Sequence, residues 1–249
     1  METDRLALIE SHQRALDAAA SDRTRAWWER YMKGVIPFRG VGIPRNRELL
    51  EQWRDANGIG AWSPEDQLEI ALAFFDQPYA EDKLAGVLYL QNYLLDRLPW
   101  RTLLNRYVAL YDQRLIFDWN VCDWFCVRVL GPTISRNGVA CADALVAWKD
   151  AEYLWKARSS VVPFVKLASH SEYYPLLERS AATLIRRDER FAKTAVGWVL
   201  LEVSRHDRRF VRSVLDANLE HFSKESLSNA LKRFGERERK TYQRRLALS

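Results

Sequence analysis

The sequence predicts an all-α fold, an α-solenoid of antiparallel helix pairs. Apolar residues recur at intervals of three and four almost throughout the 249 residues, and no convincing run alternates with a period of two. The turns are short, and helices joined in this way bury their apolar faces by stacking in antiparallel pairs, which creates a concave surface suited to a long ligand. Because no strong repeat is present, a compact helical bundle is the alternative.

The first two helices have clear start and stop signals. A helix over 5–20 precedes a second one, which Ser21 or Asp22 caps and Gly34 ends. The following segment, 35–44, cannot be helical, because two prolines and nearby glycines impose an extended path.

The rest of the chain is predicted to form helices separated by short turns. Pro44 and the Ser63-Pro64 pair each mark a helix start, because serine is a favoured cap and proline suits the first turn. The predicted helices cover 44–57, 63–75, 81–96, 100–111, 117–130, 138–149, 153–169, 173–187, 189–206, 208–218 and, as a closing basic pair, 224–245.

The length fits one large domain or two small ones, and we expect a single cytoplasmic domain over 1–249. We expect it to be a monomer, because a solenoid needs no partner for its core. No apolar run is as long as a membrane span, and the N-terminal residues are acidic and polar where a signal peptide would be basic and then apolar. Three cysteines, an odd number, argue against a disulfide framework, and four scattered histidines argue against a metal site. We therefore expect no membrane contact and no metal.

The distribution of charge and aromatic residues bears on the partner. The net charge is +5, and the basic excess lies in the C-terminal quarter, from residue 186 onward. This asymmetry suits a polyanion partner and equally a solvated helical tail. Ten tryptophans supply a helical core and leave some rings to line a groove.

A stretch in the middle of the chain, 117–130, sets one acid among aromatic residues. Its apolar stripe at helical spacing consists of Cys122, Phe125, Cys126 and Val129. Trp119 and Asp123 fall together on the margin of that stripe, one turn apart. A carboxylate beside an indole loses hydration, which is costly unless a cation, a donor or a ligand meets it, so Asp123 is a candidate functional residue. The alternative is a structural ion pair with a neighbouring arginine.

Four motifs share their order and spacing with one protein family. They are YMKG at 31–34 with PFRG at 37–40 and Pro44, then Trp119 with Asp123, then WKAR at 155–158 with Lys166, and finally AVGWVL at 195–200. Together they resemble the AlkD-type alkylpurine DNA glycosylases, bacterial repair proteins built from HEAT-like repeats. The resemblance covers most of the chain and implies a HEAT-like α-solenoid with a concave DNA-binding face.

The resemblance also implies an activity and the residues that carry it. The activity is hydrolysis of the N-glycosidic bond of cationic N3- or N7-alkylated purines, such as 3-methyladenine and 7-methylguanine, in double-stranded DNA. It leaves an abasic site, needs no cofactor, and proceeds without flipping the modified base out of the duplex. By this resemblance the catalytic residues are Asp123, Trp119 and Trp198, and the residues that bind DNA are Tyr31, Arg158 and Lys166.

One departure and two alternatives accompany this interpretation. Gly42 stands where the type example of the family has a glutamine that reaches toward the DNA, so DNA affinity is in question while chemistry at Asp123 is not. A non-catalytic HEAT-like protein that binds damaged or branched DNA is the first alternative. A HEAT-like scaffold for protein partners, whose aromatic residues line a peptide groove, is the second.

Overall fold

The computed structural model describes the backbone of residues 2–248 and the side chains of residues 5–248, and every regular element in this span is helical. The prediction of an all-α fold is therefore confirmed. The chain divides into two compact units, one up to Val129 and one from Leu130 onward. The single domain over 1–249 stays a prediction. Within the described span, no helix combines the length and the apolar character needed to cross a membrane.

The first unit contains seven α-helices joined by short turns. In chain order, α1 to α7 are Glu2–Ala18, Asp22–Met32, Ile43–Ala56, Pro64–Ala73, Ala80–Tyr89, Trp100–Asp112 and Trp119–Phe125. Two of them continue as π-helical turns, α5 over Leu90–Leu94 and α7 over Cys126–Leu130. Next-nearest helices pack on each other, α1 on α3, α3 on α5 and α5 on α7, and α4 packs on α5, as expected for a solenoid.

The predicted start signals in this unit are confirmed. The Ser21 hydroxyl caps α2, and the Ser63 hydroxyl caps α4 by accepting a hydrogen bond from the Asp66 backbone N–H at 3.1 Å. Pro44 lies in the first turn of α3. At its other end α2 stops at Met32, and the next two residues adopt left-handed backbone angles that a helix cannot continue.

Helix α5 is the centre of the first unit, because all ten of its residues are buried. Helices α3, α4 and α7 pack on it. Gly86 allows α4 to come close: a Cβ at this position would lie 2.8 Å from the Ala71 carbonyl oxygen and 2.7 Å from the Phe75 ring. The first turn of α5 is charged, and Glu81, Asp82 and Lys83, which we call the α5 charge cluster, are buried with the rest.

The second unit is built around α12. In chain order, α8 to α15 are Gly131–Asn137, Val139–Val146, Leu154–Arg158, Tyr174–Leu184, Arg190–Val203, Arg208–Asn218, Lys224–Ala230 and Glu236–Leu248. Helices α10, α11, α13 and α14 and a 3-10 turn, Val162–Leu167, pack on α12. The closest approach is at Gly197, where a Cβ would lie 2.5 Å from the Ser226 carbonyl oxygen of α14.

The prediction of one helix over 153–169 is wrong. Helix α10 ends at Arg158, and the hydroxyls of Ser159 and Ser160 donate to carbonyl oxygens of the preceding turn at 2.8 and 2.7 Å. Such bonds compete with the helical ladder, and Pro163 has no N–H with which to resume it. The chain therefore passes into the 3-10 turn Val162–Leu167.

Candidate active site

A buried aspartate sets the start of α7. Asp118 is 1% exposed, and its Oδ1 accepts hydrogen bonds from the backbone N–H groups of Asn120 at 2.8 Å and Val121 at 3.0 Å. These two bonds make it the N-cap, so α7 begins at Trp119. Burial raises the pKa of Asp118, and the two N–H donors oppose that shift.

The predicted division of α7 into two faces is confirmed. The apolar stripe of Cys122, Phe125, Cys126 and Val129 is fully buried. Trp119 and Asp123, one turn apart, are only partly buried. One face of this helix is therefore core, and its margin carries an indole and an acid that are only partly buried.

Tyr31 joins this margin from α2. Its ring meets the Trp119 ring edge to face, with centroids 5.4 Å apart and planes at 79°. Tyr31 also stacks on Trp27, with ring centroids 5.2 Å apart and an angle of 16° between the ring planes. The structure therefore brings two of the predicted site residues, Tyr31 and Trp119, into direct contact within the first unit, and it adds the ring of Trp27, which was not among them.

The loop before α3 holds α2 in this position. Trp28, which follows Trp27, stacks on Phe38, with ring centroids 5.3 Å apart and an angle of 8° between the ring planes. Phe38 belongs to the PFRG motif, whose Gly40 has a φ of 100° and lies so close to α2 that a Cβ would be 2.3 Å from the Ser21 carbonyl oxygen. A left-handed angle and this contact both require glycine here.

The buried carboxylate of Glu81 anchors that loop. It accepts hydrogen bonds from three successive backbone N–H groups, those of Arg39 at 2.9 Å, Gly40 at 2.8 Å and Val41 at 3.1 Å. Charged acceptors strengthen such bonds, and Glu81 is only 1% exposed. The PFRG motif is thus a backbone cradle for an internal carboxylate, and through Phe38 it supports the ring of Trp28.

The other two members of the α5 charge cluster are also engaged. Asp82 pairs with the Arg39 guanidinium at 3.0 Å, and burial raises the Asp82 pKa while Arg39 opposes the shift. Lys83 donates to the Phe75 carbonyl oxygen. Burial lowers the Lys83 pKa, and the Asp118 carboxylate that caps α7 opposes this shift. The first turn of α5 therefore supports both the PFRG loop and the start of α7.

The other predicted site residues belong to the second unit, on elements that pack around α12. Trp198 lies on α12 and is partly buried, and Lys166 in the 3-10 turn Val162–Leu167 is exposed. Arg158 on α10 is only 4% exposed and donates to the Phe191 carbonyl oxygen. The structure thus gives Arg158 a backbone partner, where the family resemblance implies a contact with DNA.

The second unit also carries a basic cavity of about 670 Å³. It is lined by Ser204, Arg205, His206, Arg208, Lys232 and Arg233. Five of these six side chains are basic, so the cavity suits an anion. Part of the C-terminal basic excess is neutralised internally, since Arg212 pairs with Glu238 at 2.7 Å.

Gly42, the departure noted in the sequence, caps α3 without a side chain. A Cβ here would meet only the Pro44 ring, at 3.9 Å, so the fold leaves room for a larger residue.

Among the side chains described, no group of three or more His, Cys, Asp or Glu residues could hold a metal ion.

The chain is similar to one protein family and to solved structures of the same fold. The family model for the DNA alkylation repair enzyme matches residues 12–234. A predicted DNA alkylation repair enzyme from Enterococcus faecalis has a similar structure, with a TM-score of 0.75 at 19% identity over 87% of this chain and 97% of that chain. That likeness bears on the fold alone. No curated protein matches the chain in sequence.

Proposed function

This chain belongs to the family of DNA alkylation repair enzymes, and from that premise we propose that it is a DNA glycosylase. Its substrates are purines alkylated at N3 or N7 in double-stranded DNA, including 3-methyladenine and 7-methylguanine. It hydrolyses the N-glycosidic bond and leaves an abasic site. No metal or organic cofactor takes part in the proposed reaction.

The charge of the substrate decides what the protein must supply. A purine alkylated at N3 or N7 is already cationic, so it leaves without protonation by a general acid. Positive charge develops on the deoxyribose as the bond breaks, and negative charge placed beside the sugar stabilises that transition state. In the proposed reaction Asp123 supplies this charge and positions the attacking water.

The aromatic residues extend the same electrostatic argument. The faces of Trp119, Tyr31 and Trp198 are electron-rich, and each attracts a cationic nucleotide or sugar by about 1–2 kcal/mol when water is excluded. Trp119 and Tyr31 support the proposal most directly, because they touch each other and both remain accessible.

Lys166 and Arg158 are the proposed DNA contacts in the second unit. Lys166 is exposed and acts as a point charge for a phosphate. Arg158, which is 4% exposed and donates to the Phe191 carbonyl oxygen, is the second proposed phosphate contact. Together with the basic cavity, these contacts give an affinity that falls with salt and has no sequence preference.

The proposed selectivity follows from the lability of the bond. In the proposed reaction the modified base stays in the duplex. An enzyme that works in this way cannot test the shape of the base in a pocket, so it acts on glycosidic bonds that the cationic base has already weakened. We therefore expect tolerance of bulky N3 or N7 adducts and little release of neutral bases such as uracil or hypoxanthine.

The observation that carries the proposal is the position of Asp123, which is only partly buried and lies one helical turn from Trp119 and its ring contact with Tyr31. The test compares release of 7-methylguanine and 3-methyladenine from methylated duplex DNA by the parent and by Asp123→Asn at equal DNA occupancy. We expect the variant to release base at least about 100-fold more slowly while binding DNA equally well.

Asp55→Asn is the matched control, because it makes the same chemical change at an exposed acid of the first unit, on α3. Substitution of an exposed side chain changes stability little, so this variant should fold and release base like the parent. If the parent binds DNA but releases no base, the chain is a non-catalytic damage-binding protein. Weak DNA binding that salt does not change would support the protein scaffold instead.

A further inference from the structure

Helix α2 exposes two stacked aromatic rings at its surface. Trp27 and Tyr31 are each 53% exposed, and they stack face to face with centroids 5.2 Å apart and an angle of 16° between planes. Keeping two large rings in water forgoes the stabilisation that burial would provide. Adjacent exposed apolar side chains of this kind mark surfaces that bind something.

The neighbouring tryptophan shows that α2 can bury a ring. Trp28 is only partly exposed, because it stacks on Phe38 at 5.3 Å and 8°. The packing of Trp28 on the PFRG loop anchors α2. Trp27 lies on the solvent side, and its ring is therefore not needed to hold the helix in place. Trp27 meets the Trp28 ring edge to face at 4.8 Å, which keeps the outer ring oriented.

The charges beside the two rings indicate the chemistry of the ligand. Arg23 and Arg30 are exposed, and their spacing of four and three residues from Trp27 places them on the same face of the helix. Lys33, also exposed, follows at the end of α2. Proteins bind single-stranded nucleic acid by this combination, in which basic side chains contact phosphates and aromatic faces stack on bases.

The position of the rings connects them to the proposed reaction. The ring of Tyr31 meets the ring of Trp119 edge to face, with centroids 5.4 Å apart, and Trp119 lies one turn from Asp123. Trp27 is therefore one ring beyond Tyr31 in a continuous row of aromatic contacts that ends at the margin of α7.

We propose that Trp27 and Tyr31 form a stacking platform for one unpaired nucleobase of the DNA, with Arg23 and Arg30 contacting the adjoining phosphates. The proposal rests on the proposed function in that the ligand is DNA, and it assigns Trp27 a binding role. The alkylated base itself need not occupy the platform, so base release from an intact stack and the platform are compatible.

The test measures binding of unmodified DNA, which requires no catalysis. Fluorescence anisotropy gives the affinity for a duplex with one unpaired nucleotide at its centre and for a fully paired duplex of the same length. The parent should prefer the first. Trp27→Ala should lose about tenfold in affinity for the DNA with the unpaired nucleotide and little for the paired duplex, because stacking on one base is lost. Trp27→Phe should retain most of the preference.

Leu6→Ala is the control for loss of an exposed apolar side chain, since Leu6 on α1 is 51% exposed. It should bind both DNAs like the parent, and thermal unfolding should show that Trp27→Ala folds normally. Equal losses on both DNAs, an unchanged Trp27→Ala, or a parent without preference would each overturn the platform. A parent that shows the Trp27-dependent preference but releases no alkylated base would refute the glycosylase proposal and leave the platform standing.

Discussion

The two units hold their predicted site residues by different physical means. In the first unit, the accessible rings of Tyr31 and Trp119 rest on buried charges, because Glu81 binds three backbone N–H groups of the loop behind α2. In the second unit, Trp198 follows a glycine whose missing side chain lets α14 approach α12. The first arrangement depends on hydrogen bonds between a buried carboxylate and backbone N–H groups. The second depends on the small volume of Gly197 between two helices.

This difference predicts how each unit responds to change. A buried carboxylate with several donors cannot be removed without leaving those donors unpaired, so the damage spreads along the loop. A close contact between two helix backbones does not depend on charged groups, but it leaves no space for an added side-chain atom. The first unit should therefore be sensitive to substitution of polar groups and to pH, and the second to added bulk.

Removal of the Glu81 carboxylate should have the largest effect. Glu81→Ala leaves the N–H groups of Arg39, Gly40 and Val41 without their acceptor in a buried site, and it should lower the free energy of unfolding by about 3–5 kcal/mol in urea titrations. Glu65→Ala, at an exposed acid in the first turn of α4, should change it by less than about 0.5 kcal/mol. Equal losses in the two variants would show that the loop does not depend on Glu81.

Acidification should be the next most damaging change, through His12. This residue is 0% exposed, lies against the rings of Trp53 and Phe74, and neither ring nitrogen has a hydrogen-bond partner among the described residues. Burial, with the Arg39 charge adding to it, lowers the His12 pKa from 6.5 to about 4. Between these pH values the unfolded chain binds a proton that the folded chain does not, so stability falls as pH falls, by about 3 kcal/mol in total.

A titration with and without His12 checks this expectation. Unfolding by urea at pH 7 and pH 4 gives the loss of stability on acidification for the parent and for His12→Phe, which keeps an aromatic ring between Trp53 and Phe74. The variant should lose less stability than the parent, by roughly the same 3 kcal/mol. The carboxylates are common to both proteins and cancel in the difference. Identical losses would mean that His12 titrates normally in the fold.

Added bulk in the second unit should have the smallest of these effects. In Gly197→Ala, the new Cβ would lie 2.5 Å from the Ser226 carbonyl oxygen and 2.9 Å from its Cα, and backbone atoms cannot rotate away. The helices must separate, which should cost about 1–3 kcal/mol. Gly235→Ala is the control, because its Cβ would meet nothing within 4 Å. Unchanged stability in Gly197→Ala would show that α12 and α14 adjust freely.

Local signals explain why much of the fold could be predicted. The Ser63-Pro64 start, the Ser21 cap and the extended path of 35–44 depend on residues within a few positions of one another. The first two are confirmed, and the third is confirmed up to residue 42, since α3 begins at Ile43. The error at 153–169 was also local in origin, because the bonds of Ser159 and Ser160 to the preceding turn and Pro163 outweighed a helical pattern of apolar residues.

Asp118 and Trp27 could have been singled out from the sequence. An aspartate just before a helical pattern is the usual N-cap signal, and Asp118 precedes α7 in this way. Trp27 lies four residues before Tyr31, so helical spacing alone places the two rings on one face. Its exposure could not be predicted, since it depends on Trp28, and not Trp27, packing on Phe38.

The sequence by itself determined most of the helices, the caps at Ser21 and Ser63, the two faces of α7 and the family, because periodicity, capping and motif spacing are properties of neighbouring residues. Only the tertiary structure decided that the charged turn Glu81, Asp82 and Lys83 is interior. Its partners in the PFRG loop lie about forty residues away in the chain, and a charged first turn by itself predicts solvent exposure. Burial of a charge depends on finding such distant partners, and no local pattern specifies them.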